Sequence, residues 1–107
     1  MREKTLWIKD DYLAHILSGR KNVEIRIGYS NITRLQVGDC LLLNDRYPYT
    51  IERIDHYQNF EELLSNEDPS AIAPDMTAAD LLNQLRKIYP AEKESLGVIA
   101  LEILPTK

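Results

Sequence analysis

The sequence predicts an α+β fold, a small mixed or mostly antiparallel β-sheet or barrel of about five strands and two to three helices packed on it. Three observations carry that expectation. Residues 22–27 alternate strictly, with Val23, Ile25 and Ile27 apolar and Asn22, Glu24 and Arg26 polar, which is the period of a strand. Two other segments place apolar residues at helical spacing: Leu13, Ile16 and Leu17, then Leu81, Leu82, Leu85 and Ile88. Strand-like and helix-like runs follow one another within 107 residues, a length that suits one core and therefore one domain over residues 1–107.

The first element, "KTLWIK" from Lys4 to Lys9, is a short β-favouring run with Trp7 in its middle, where a core position is expected for the indole. It stops at Asp10-Asp11, an acidic pair suited to a helix N-terminus, where N–H groups without helical partners favour negative charge. A helix is expected from about Asp11 to Ser18, ended by a left-handed Gly19 and a turn through Arg20. The alternating strand follows. "YSNITRLQVGD" reads as a connection, "CLLLN" from Cys40 to Asn44 as a buried strand, "DRYPY" as a loop, and about Thr50 to Tyr57 as the next strand. Asn59 caps a short helix through "FEELLSN", with Glu62 completing a capping box. The Pro-broken "EDPSAIAPD" reads as a loop within the domain, because a full core strand still comes after it. Thr77 opens the longest helix, with Asp80 as its N3 acid and Tyr89-Pro90 at its end, and "GVIALEIL" closes the sheet.

Composition narrows the function classes. With 44% hydrophobic and 28% charged residues the chain has the balance of a globular protein, not of a disordered or fibrous one. No apolar run reaches the roughly 18 residues of a membrane span, and "MREKTLWIKDD" lacks the apolar centre of a signal peptide, so a cytoplasmic protein without a membrane partner is expected. The single cysteine, Cys40, has no partner for an internal disulfide and sits in an apolar run, as a buried thiol would. A net charge of −4 argues against coating long nucleic acid. The charge is uneven, however: residues 1–53 carry nine Lys/Arg against seven Asp/Glu, and residues 54–107 carry four against ten. An anionic ligand is drawn to the first half.

The densest chemistry lies in "SGRKNVEIRIG", Ser18 to Gly28. Alternation puts Glu24 and Arg26 on the polar face of the strand, and Lys21 reaches that face from the turn on its flexible stem. Two or three cations around one carboxylate suit the grip of a phosphate or the polar edge of a base, with Glu24 accepting hydrogen bonds. Such close cations lower the pKa of Glu24, which favours an orienting role over that of a general base. The alternative is an ordinary Glu24–Arg26 ion pair on a solvated strand, which contributes little.

"GRKNVEIR" has the form G-x-K-x-x-E-x-R, with Gly19, Lys21, Glu24 and Arg26 in register, preceded by a helix and followed by "LQVGDCLLL". The sequence resembles the ASCH domain (activating signal cointegrator homology), a small PUA-like β-barrel family thought to bind RNA or nucleotides. The Gly38-Asp39 turn, the late helix ending in "IYP" and the closing "GVIALEIL" extend the likeness over essentially the whole chain. The resemblance implies an RNA, nucleotide or modified-nucleoside ligand held by Gly19, Lys21, Glu24 and Arg26, with neighbouring Tyr29 as a further contact. One bacterial branch of the family comprises amidohydrolases that remove acetyl from N-acetylated cytidine with a lysine, a threonine nucleophile and a glutamate. Here Lys21 matches the lysine, Glu24 stands in the threonine's place, and the late glutamate's region reads Pro74-Asp75. A hydrolase would therefore use Lys21, Glu24 and Asp75, with two of the three roles altered.

The other candidates are weaker. Six tyrosines, one tryptophan and one phenylalanine offer stacking surfaces, among them Tyr47 and Tyr49 beside Arg46. His15 and His56 belong to no metal-spaced cluster, so no metal or other cofactor is expected. Ser18, Ser30 and Thr33 flank the charged motif without a nucleophile signature, and four glycines form no phosphate loop.

Overall fold

A computed structural model describes residues 2–107, which run β1 (Glu3–Leu6), α1 (Asp10–Leu17), β2 (Val23–Ile27), α2 (Ser30–Thr33), β3 (Cys40–Leu43), β4 (Tyr47–Tyr57), α3 (Phe60–Asn66), α4 (Pro69–Ile72), α5 (Ala78–Ile88), α6 (Ala91–Glu94) and β5 (Val98–Pro105). The strands form one mixed sheet in the order β1-β3-β4-β5-β2. β1 pairs with β3 in parallel, and every other pairing is antiparallel. The sheet curls into a half-barrel that stays open, because its edge strands β1 and β2 do not pair with each other. A β-barrel was expected, and the open seam corrects it.

Six helices replace the expected two to three. The three additional ones, α2, α4 and α6, have four residues each and lie where the sequence reads as connection or loop. A single turn is too short to show a 3.6-residue period. Only the cap chemistry of α4 was open to reading: the Asp68 side chain accepts from the Ser70 N–H, and Pro69 stands at the first helical position. The longer helices follow their signals. Asn59 caps α3 by accepting from Glu62 N–H, and Thr77 caps α5 by accepting from Asp80 N–H.

Between β3 and β4 the chain turns on Asn44 and Asp45, both left-handed (φ 52° and 60°), with the Arg46 N–H donating to Leu43 O at 3.0 Å. Asn and Asp tolerate that conformation, and a two-residue turn of this hand fits the twist of a hairpin. β4 therefore begins at Tyr47, not near Thr50, and passes through Pro48, whose carbonyl accepts from Thr106 N–H beyond the end of β5. A register shift between Ile51 and Arg53 then reverses the faces of β4.

Apolar side chains form two clusters, one on each face of the sheet. The first gathers Leu6, Leu41, Leu43, Tyr49, Ile51, Ile99, Leu101 and Ile103 with Ile16 of α1. The second packs Val23, Ile25, Ile27, Val98 and Ala100 against Phe60, Leu63, Ile72, Leu81 and Leu85 of α3, α4 and α5. Both faces of β5 are covered, which is why its sequence alternates so weakly. β2 has only one apolar face. Its other face carries Glu24 and Arg26, opposite Leu101 and Ile99 of β5. Trp7 corrects a further expectation: β1 ends at Leu6, and the indole beyond it is 64% exposed instead of in the core.

Candidate functional site

Gly19 closes α1 with φ +82° and donates its N–H to Ile16 O at 3.0 Å. The chain reverses there and delivers Lys21 beneath α1, at the start of β2. Lys21 is buried, and three oxygens surround its ammonium: Val23 O at 2.5 Å, Ile72 O at 2.8 Å and Glu24 Oε1 at 3.1 Å. An ammonium has three N–H groups, so all three are occupied by protein acceptors. Lys21 thus ties β2 to the end of α4 and holds Glu24 in place. It also lines the cavity described below, where it was expected to contact a ligand directly.

The second oxygen of Glu24 accepts from Arg26 Nη2 at 2.8 Å, and the same Nη2 donates to Trp7 O at 2.8 Å. Nε and Nη1 of Arg26 make no hydrogen bond among the described residues. Burial pushes the Glu24 carboxyl up, but the charges and hydrogen bonds of Lys21 and Arg26 outweigh it and hold the group below its ordinary range. Burial lowers the Lys21 ammonium, against the opposing pull of Glu24. The Tyr12 ring lies 5.5 Å from the ammonium, and burial, with Glu24 adding to it, raises the Tyr12 hydroxyl.

This cluster forms the polar part of a cavity of about 190 Å³. Its walls are apolar and aromatic, drawn from Trp7 after β1, Tyr12 on α1, Ile72 at the end of α4, and Leu81, Leu85 and Tyr89 of α5 and its C-cap. Lys9 stands exposed on its lining. Lys9 and Tyr12 were not singled out as site residues from the sequence, and Trp7 was expected in the core. Tyr12 follows Asp11 on the helix face that carries Ile16 toward the sheet, so an aromatic one turn ahead of a buried helical position was the available signal.

The other expected site residues fall elsewhere. Gly19 acts through the turn and does not line the cavity. Tyr29 is 42% exposed, with Lys93 Nζ 5.6 Å from its ring, and lies outside the lining. Asp75 pairs with Arg20 at 2.8 Å and stands 3.5 Å from His15, in a neighbouring depression that shares only Lys9 and Tyr12 with the cavity. Tyr49 is buried in the core with its hydroxyl on Ile16 O, and Tyr47 stacks under Arg46.

The profile of the ASCH domain matches residues 6–107, and the chain belongs to the ASCH domain family, which is associated with RNA binding. Solved structures share its fold, two of them as follows. The crystal structure of hypothetical protein PH0355 superposes with a TM-score of 0.90 at 24% identity, covering 99% of this chain and 100% of that one. The solution NMR structure of protein PF0455 from Pyrococcus furiosus superposes with a TM-score of 0.81 at 24% identity, covering 98% of each chain. No curated protein matches the sequence.

Proposed function

We propose that this ASCH domain binds RNA by taking one base, or a free nucleoside, into the cavity beside Glu24 and Arg26. The observation that carries the reading is a carboxylate acceptor and a guanidinium with unengaged donors, side by side at the polar end of a cavity with aromatic and aliphatic walls. A base has that complementary form: apolar faces, and an edge on which donors and acceptors adjoin. Size supports it too, since about 190 Å³ lies below the roughly 300 Å³ at which pockets for drug-sized molecules begin. The sugar and phosphate then remain outside, near Lys9 and the exposed face of Trp7.

Binding is favoured over hydrolysis of an acetylated cytidine. Glu24 is held ionised by two cations, which makes it a weak base. No serine, threonine or cysteine lines the cavity among the described residues, and Asp75 is engaged by Arg20 outside it.

The test is a thermal-shift and calorimetric titration with nucleosides, short single-stranded RNAs and duplex RNA. A nucleoside or short single strand should raise the apparent stability, because it binds only the folded state. The salt dependence should correspond to about one to three phosphate contacts. Tight duplex binding that collapses steeply with salt, or acetate released from N-acetylated cytidine, would overturn the reading.

A further inference from the structure

The half-barrel has a seam between β1 on one side and β2 with α2 on the other, and two arginines cross it. Arg26 of β2 donates to Trp7 O just past the end of β1, and Arg2 just before β1 donates to Arg34 O just past α2. β2 and α2 therefore run along β1 in the opposite direction, with one arginine tie at each end. The odd-numbered residues of β1 turn their backbone groups toward this seam. Leu6 O and Arg2 O accept from Asn44 and Cys40 on the β3 side, whereas Trp7 O accepts from Arg26 across the seam.

Both ends of the seam are concave and basic. At the Trp7 end lies the cavity with Arg26 and Lys9. At the other end a second depression is lined by Arg2, Glu3, Lys4, Arg34 and Asp39, with Asn31 between them. Arg2, Lys4 and Arg34 outnumber Glu3 and Asp39 there by one charge. Asp39 is held by Arg2 at 3.1 Å and by the Gln36 N–H at 2.9 Å, while the side chains of Lys4 and Arg34 make no hydrogen bond or ion pair among the described residues. Arg2 and Lys4 also precede residue 6, where the family match begins.

Resting on the base-binding reading, we propose that a single RNA strand lies along this seam, with one base in the cavity and the adjoining phosphates on Lys4 and Arg34. The three residues from Lys4 to Trp7 span about 10 Å at the rise of an extended strand. That is on the order of one to two nucleotides of an extended single strand, whose phosphates stand farther apart than the roughly 3.4 Å rise of a duplex. The seam thereby makes the protein a reader of short single strands, and the second depression supplies affinity without reading bases.

The experiment compares a nucleoside with single-stranded RNAs of one to six nucleotides, for the wild type and for the Lys4→Ala, Arg34→Ala double variant. Neither side chain holds the fold, so the variant should unfold at the wild-type temperature. Wild-type affinity should climb up to about two or three nucleotides and then level off. The double variant should bind the nucleoside as before, lose about tenfold in affinity for the longer strands, and show a salt slope shallower by about one to one and a half. Longer strands that gain nothing over the nucleoside, or a gain that the variant keeps, would overturn the path and leave the cavity reading standing. Failure of every strand and nucleoside to bind would overturn both.

Discussion

Two glutamates of the domain, Glu67 buried and Glu24 half-buried, are held by arginine, and they differ in their surroundings. Glu67 takes both Nη atoms of Arg53 at 2.8 Å and the Tyr57 hydroxyl at 2.6 Å. Arg53 also donates to Asp55 and has its Nε 3.6 Å from Glu102, so it faces three carboxylates. Hydrogen bonds from Arg53 hold Glu67 below its ordinary pKa, and burial with the Glu67 contact pushes the Tyr57 hydroxyl up to about 12. Nη1 there donates to two carboxylates and Nη2 to one, and neither Arg53 nor Glu67 lines the cavity. Glu24 instead receives one bond on each oxygen from two cations, one of which, Arg26, keeps unengaged N–H groups beside a cavity. Similar groups thus form a clamp around one arginine in one place and an open pair on a cavity wall in the other, and it is the second that is placed to exchange a contact with a ligand.

Lys21 gives the sharpest break between the regions. Lys21→Met removes a buried ammonium and leaves two carbonyls and half of Glu24 without a donor, so stability should fall by about 3 to 5 kcal/mol in urea denaturation. A loss below about 1 kcal/mol would mean that Lys21 does not hold β2 to α4. Next in size is Arg26→Gln, which should weaken RNA binding by about 1.5 to 3 kcal/mol while stability changes far less. Glu67→Gln should do the opposite, with about 1.5 to 3 kcal/mol of stability lost and affinity unchanged by calorimetry. If the two substitutions have the same profile, the distinction between clamp and open pair fails.

Acid should act on both regions. Glu24 and Glu67 have folded-state pKa values below the unfolded value, so the stability each contributes is complete above about pH 4.3 and disappears as the pH falls through the folded value. The urea midpoint should therefore drop steadily below about pH 4, and Glu67→Gln should flatten part of that slope. A wild-type profile flat over this range would contradict the shifts.

The periodic parts of this molecule were legible in the sequence. The alternation at Val23, Ile25 and Ile27 fixed the buried face of β2 and so put Glu24 and Arg26 together on the other. Thr77 and Asn59 marked their helix starts. What stayed hidden depended on groups distant in sequence. Lys21 meets Ile72 O from a helix of one turn that no periodicity announces, and Arg53 meets Glu67 only because a bulge in β4 turns its side chain. Trp7 was misread because a β-favouring run suggests burial, whereas β1 stops one residue short of it. Tyr29 lies beside the motif in sequence, but the strand ends before it and α2 carries the chain away.

Trp7 is the chain's single tryptophan and lines the cavity, so its emission reports directly on the central claim. Titration of the wild type with a trinucleotide RNA, followed at once by indole emission and by the anisotropy of a label on the RNA, should give a saturable emission change with the same midpoint as the anisotropy. Trp7→Phe should retain the anisotropy signal, and Trp7→Ala should weaken it by the roughly 1 to 3 kcal/mol of a lost stacking surface. An anisotropy rise with the indole emission unchanged would place the RNA away from this cavity and contradict the account.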